Sequence, residues 1–215
     1  LASGMPHALH PETLRRLPKV LLHEHLDGGL RPATLLHLLR ARGLPAPAED
    51  AAGLAAWFAA HAHAGSLPEY LKGFGLTVAA MAEPAAMEQV AFEAAETARA
   101  ECCVLAEFRM APLLLESDTV SAEAAIEALL AGLARSALPC GLILCAMRHE
   151  PAARSERVAR LALRYRSQGV VGLDLAGAEA GHPPGDHASA LALARDAGLP
   201  MTLHAGEADA ADRVL

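Results

Sequence analysis

The chain has 215 residues, 53% of them apolar, enough to bury a substantial core in one large domain or two small ones. Its net charge of -7 comes from dispersed acids with no basic patch, which argues against a nucleic-acid backbone as partner. No apolar stretch reaches the roughly 18 residues of a membrane helix, and the first residues lack the charged-then-apolar order of a signal peptide, so no membrane is expected and the cytoplasm is the expected location.

Leu1 to Gly4, ahead of Met5, read as a vector remnant, and residues 1–16 together as that remnant plus an N-terminal arm. The first expected strand, Val20 to Leu26, runs into His23-Glu24-His25-Leu26-Asp27-Gly28. His23 and His25 are two apart in a strand, so both rings leave the same face and can reach one cation. Zinc suits such a pair, although His-x-His also arises by chance in hydrogen-bonded core histidines. A helix follows over Pro32 to Arg42, with a proline in its first turn and Gly43 after its end.

Arg42 to Ala100 break the rhythm, with helical periods over Ala51 to His63, Pro68 to Ala82 and Ala85 to Arg99. A parallel crossover needs only about a dozen residues, so this segment reads as a helical insertion after strand one, where such folds build lids and pockets. His61 and His63 repeat the His-x-His text, but on a helix that spacing splays the rings about 200° apart, and no shared metal is expected. His7, His10, His37, His149, His182 and His187 mostly lack a partner at ligand spacing.

From Val104 onward short apolar runs alternate with helical ones. Strands are expected over Val104 to Met110, Gly141 to Met147, Val170 to Leu175 and Pro200 to His204, and helices over Ser121 to Ser136, Arg154 to Gln168 and His187 to Ala197. Ser121, Glu123 and Glu127 suit a helix start, and Gly169 and Gly198 suit helix ends. Five strand–helix units in succession make a parallel sheet. Cys102, Cys103, Cys140 and Cys145 form no CxxC pair and lie in or beside apolar segments, as reduced core residues do. Glu207 to Leu215 begins a helical pattern with no cap. Either the sheet is open and complete, or a barrel of the usual eight strands continues in a longer protein.

In a parallel sheet the strand ends of one polarity share a side, so His204, which ends the fifth strand, can join His23 and His25 in a three-ligand site. Glu207, three residues further on, suits a general acid beside a metal, or equally an acid set against a helix dipole.

The stretches 20–28, 142–149, 171–177 and 202–207, in that order and spacing, resemble the adenosine deaminase family. The resemblance implies a zinc-dependent (β/α)8 TIM-type barrel with about five β/α units present here, residues 17–215 forming the N-terminal part of one barrel domain. It implies hydrolysis of the 6-amino group of adenosine, and of 2′-deoxyadenosine, to the inosine product and ammonia. By motif match, His23, His25 and His204 would hold one zinc ion, and Glu207 would protonate the purine nitrogen beside the attacked carbon. Gly177 would offer its amide to another ring nitrogen, and Asp27 would hold the ribose 5′-hydroxyl, with His25 also lining the nucleoside site. The partner implied is a small purine nucleoside. Leu67, Tyr70, Leu71 and Met147 wall the pocket on this resemblance, or are ordinary helix core.

Two departures stand out: Ala178 precedes Glu179 where the family usually has an acid, and the family's further catalytic histidine and aspartate pair lie beyond Leu215. The 215 residues alone are therefore expected not to deaminate at a normal rate. A deaminase of adenine or of a modified purine nucleoside, and a non-catalytic purine-binding homologue, are the competing readings.

Overall fold

A computed structural model describes residues 10–62, 65 and 67–208. The expected vector remnant, His7, His63 and positions 209–215 of the expected last helix lie outside the described residues.

A short helix, α1 (Pro11–Arg16), leads into β1 (Lys19–His25), and the remaining strands are β2 (Cys103–Met110), β3 (Cys140–Met147), β4 (Val170–Ala176) and β5 (Met201–Leu203). All neighbours pair in parallel in the order β1-β2-β3-β4-β5. Four ladder steps of about 4.8 Å would set β1 and β5 roughly 19 Å apart in a flat sheet. His23 on β1 and His204 just past β5 nevertheless meet at 3.0 Å, so the sheet is curled. The fold is an open half-barrel of the (β/α)8 pattern, with five strands and helices after the first four among the described residues.

Burial follows that geometry. The central strands β3 and β4 are buried almost throughout, as strands covered on both faces should be. The flanking strands expose Val20, Leu22, Met201 and Leu203 at the open edges of the sheet. Phe108, Met110, Leu142, Leu144 and Leu173 join the helices in one continuous core.

The helices are α2 (Pro32–Ala41), α3 (Ala51–Ala62), α4 (Leu67–Ala80), α5 (Pro84–Ala100), α6 (Ala122–Ala134), α7 (Ala152–Arg164) and α8 (Ala188–Asp196). Ser121 caps α6 by accepting the Ala124 amide at 3.1 Å, satisfying one of the orphan donors of the first turn. The helix expected to run to Gln168 stops at Arg164, and a 3-10 turn (Arg166–Gln168) carries the chain to Gly169 at φ +119°, a conformation only glycine adopts without strain. No helix follows Glu207 within the described residues, where Gly206, Glu207 and Ala208 form a bend.

The segment expected as one insertion divides in two. Helix α5 belongs to the barrel: it packs on β2 and on α6, where Gly132 lets the Glu88 backbone come so close that any Cβ would strike it. Helices α2, α3 and α4 pack on one another and make a cap beyond β1. Periodicity marks a buried face but not which surface it meets, so the boundary was not readable from the pattern. The cysteines are unpaired, with Cys145 buried and Cys102, Cys103 and Cys140 half-buried. Among the described residues no helix is long and apolar enough to cross a membrane.

Candidate metal centre

The carboxyl ends of β1 and β5 converge on three imidazoles. The Nε2 atoms of His23, His25 and His204 form a triangle with sides of 3.0, 3.1 and 3.3 Å. Among the described residues this is the one group of three or more potential ligands within reach of a common ion. Three nitrogens about 2.0–2.1 Å from a tetrahedral zinc ion lie about 3.3 Å apart, so the triangle has the right size. The lowered pKa values of the rings also favour ligation. Burial, then the neighbouring His204, His23 and Arg109, push His25 down to about 4, and burial followed by Arg109 and His204 lowers His23. Neutral rings present the lone pairs that a metal needs.

His204 is aimed by Asp174, whose carboxylate lies 3.0 and 3.1 Å from Nδ1. That contact commits Nε2 to the metal side, as carboxylate–histidine pairs do at zinc sites. Asp174 also binds the Arg109 guanidinium at 2.7 Å, with both side chains essentially without solvent. Burial alone would raise the Asp174 carboxyl, but the His204 hydrogen bond and the charges of His204 and Arg109 hold it below the usual carboxylate range. Arg109 further donates to the Leu22 carbonyl at 3.0 Å and to Thr202 Oγ1 at 3.3 Å, tying β2 to both edges of the half-barrel.

Sequence reasoning assigned no role to Arg109 or Asp174. The available signal was a charged residue inside each apolar strand, which a buried sheet tolerates only when the charge is paired. Replacing Asp174 with asparagine leaves Arg109 buried without its counter-ion and His204 without its anchor. We expect a loss of about 3–5 kcal/mol in stability and about 10–100-fold in metal affinity, read by denaturant midpoint and zinc titration. Wild-type values in both would contradict the arrangement.

One cavity of about 650 Å³ gathers every residue expected at the site: His23, His25, Asp27, Gly177, His204 and Glu207. Tyr70, Leu71, Phe74 and Met147 wall it, so three of the four expected wall residues are present, while the side chain of Leu67 lies outside the described residues. Phe74 and His149, both lining the cavity, had no expected role. Glu207 lies near enough to His23 to favour its charged form. Gly177 has φ +94°, and a Cβ there would sit 3.0 Å from His149 Nδ1 and 3.1 Å from Met147 Cε, so glycine keeps the backbone open to the cavity. His61 stacks on Trp57, with ring centroids 3.8 Å apart, away from the imidazole triangle.

Asp27 is 6% exposed, and its Oδ1 has no hydrogen-bond partner among the described residues. Burial raises its carboxyl from 3.8 to about 6. A raised folded value means that protonation stabilises the fold, a contribution complete below about pH 4 and lost as pH rises through 6. The rise corresponds to about 3 kcal/mol at about 1.4 kcal/mol per pH unit. Asp27→Asn is therefore expected to raise the melting temperature of the metal-free protein at pH 7.5, with the advantage vanishing near pH 4. A variant less stable than wild type at pH 7.5 contradicts the isolated-carboxylate picture.

A curled parallel sheet with an imidazole triad at its carboxyl rim defines half of a β/α barrel with a candidate metal site. The chain belongs to the adenosine deaminase family, whose family model, described as Adenosine deaminase, matches residues 18–215. It is 45% identical over 207 residues to the adenosine deaminase of Mycobacterium tuberculosis, covering 92% of this chain and 56% of that protein. The chain thus spans about half the length of the curated relatives it matches. Its fold superposes on the crystal structure of the Arabidopsis N6-mAMP deaminase with a TM-score of 0.81 at 29% identity, covering 94% of this chain and 63% of that one. An amidohydrolase from Burkholderia ambifaria with bound Zn gives a TM-score of 0.77 at 26% identity, covering 95% of this chain and 57% of that one.

Proposed function

We propose that this chain supplies the metal ligands and a proton-transferring carboxyl of a zinc-dependent enzyme that hydrolyses the 6-amino group of adenosine and 2′-deoxyadenosine. The carrying observation is that the Nε2 triangle of 3.0–3.3 Å shares one cavity with Glu207, Asp27 and Gly177. The chemistry that zinc supplies when bound is acidification of water to a pKa of roughly 7.

The chain's own groups do the rest. His23, His25 and His204 offer neutral Nε2 lone pairs, and Asp174 keeps the His204 proton on Nδ1. The Glu207 carboxyl gives its proton to the purine nitrogen beside C6, which draws electron density from that carbon and opens it to attack. The amide of Gly177 donates to a second ring nitrogen, fixing the base in its plane. Asp27 accepts the ribose 5′-hydroxyl with the oxygen that lacks a partner. The ring of His25 lines the nucleoside site, and Tyr70, Leu71, Phe74 and Met147 shelter the base from bulk water.

A nucleotide is disfavoured by Asp27, because a buried acid with no paired cation among the described residues repels a 5′-phosphate. The test is ammonia release by the zinc-loaded, full-length protein from adenosine, 2′-deoxyadenosine, adenine and AMP. Adenosine and its deoxy analogue should lead by at least tenfold in kcat/KM, about 1.4 kcal/mol of discrimination. Preference for AMP or adenine replaces the substrate assignment, and calorimetric binding of adenosine without ammonia release replaces the enzyme by a purine-binding protein.

A further inference from the structure

Glu179 follows the residue at which this chain departs from its family's usual acid, and it is 4% exposed. Its Oε1 accepts the Gly206 amide at 2.7 Å, and its Oε2 accepts the Glu207 and Ala208 amides at 2.8 Å each. Three successive backbone N–H groups closing on one carboxylate make an anion nest. Here the anion is a side chain from 27 residues earlier. The nest lies in the bend that carries Glu207, outside any helix or strand, where those amides have no ladder to satisfy them.

Arg148, also buried, completes the arrangement. Its Nη1 lies 3.8 Å from Glu179 Oε1, and its Nη2 donates to the carbonyls of Leu175 and His204. The Arg148–Glu179 pair thus grips the segment from both sides, at His204 and at residues 206–208. Glu179 does not line the cavity and both its oxygens are engaged, so it is not placed to exchange a proton with substrate.

We infer that Glu179 is a positioning residue, whose carboxylate clamps the 206–208 amides and thereby sets where the Glu207 carboxyl stands relative to the His23–His25–His204 triangle. This rests on the reading of Glu207 as the proton donor. A donor on an irregular bend has no scaffold of its own, and displacement by about 1 Å at a reacting centre costs about 100-fold in rate. The clamp gives the bend the rigidity that a helix or strand gives other site residues.

Hydrogen exchange on the unmodified protein is the first test. The amides of Gly206, Glu207 and Ala208 should be protected although their segment is exposed, and exchange at unstructured rates overturns the clamp. Glu179→Gln is the second, since its amide group has one acceptor oxygen and turns N–H donors toward backbone N–H. In the zinc-loaded, full-length protein we expect kcat to fall about 10–100-fold, with KM within threefold and zinc content unchanged. In a Glu207→Gln background the same change should cost less than threefold more, because two residues acting through one proton transfer are not additive. Unchanged kcat, loss of zinc, or an equal loss in both backgrounds overturns the inference. If Glu207→Gln alone keeps full activity, the proton-donor reading fails, while the exchange data still report on the clamp.

Discussion

On the proposed function, His204→Ala should strip zinc from the protein and abolish deamination by the full-length enzyme while the sheet remains folded. Structural zinc sites with four ligands bind with roughly 10–16 kcal/mol, so loss of one ligand removes about 3 kcal/mol, or more than 100-fold in affinity. The loss here is larger, because His204 is the ligand whose geometry is prepared in advance: Asp174 holds its Nδ1 and Arg148 holds its carbonyl. His23 and His25 alone sit two apart on one strand and cannot surround an ion. The fold should survive, since Asp174 keeps its 2.7 Å contact with Arg109 and β5 keeps its ladder to β4. Metal analysis after dialysis, circular dichroism and an ammonia assay together read the outcome. His61→Ala is the control and should leave zinc untouched, because that ring is occupied against Trp57. Stoichiometric zinc in dialysed His204→Ala protein would show that the triangle is not the metal site.

The strands were legible because each apolar run is bracketed by turn residues, and their ends fall within two residues of the expected positions. The imidazole triad was legible for a topological reason. Parallel strands bring their carboxyl ends to one rim, so a histidine pair ending the first strand and a histidine ending the fifth had one place to meet. The partners behind that rim were less visible. Arg109 on β2 reaches past β3 to Asp174 on β4, a contact between strands that are not neighbours, and strand order leaves no mark on local periodicity. Glu179 was hidden by a different cause. The neighbouring Ala178 drew notice as a missing acid, while the function of Glu179 depends on backbone amides 27 to 29 residues away. The cap helices show the same limit, since their apolar faces were readable but not the division between cap and barrel.

Glu207→Gln should keep zinc and lose most of its turnover, and the contrast with His204→Ala separates proton transfer from metal binding. Glutamine matches the shape of glutamate and can form a hydrogen bond to a ring nitrogen, but it has no proton to give up at neutral pH. Positioned proton transfer contributes about 10²–10⁴-fold in rate, so kcat should fall by that factor, about 3–5 kcal/mol in barrier. Adenosine KM should change little, because in the proposed binding mode the apolar wall, the Gly177 amide and Asp27 remain to hold the nucleoside. The backbone at position 207 is unaffected by the exchange, since Glu179 grips its amide rather than its side chain. Zinc content is equally protected, because His23, His25 and His204 are untouched and Asp174 still orients the last of them. The variant is therefore a clean deletion of one proton from an otherwise intact site. If it deaminates adenosine at the wild-type rate with zinc bound, the proton reaches the purine from another group, and Glu207 is a lining residue and nothing more.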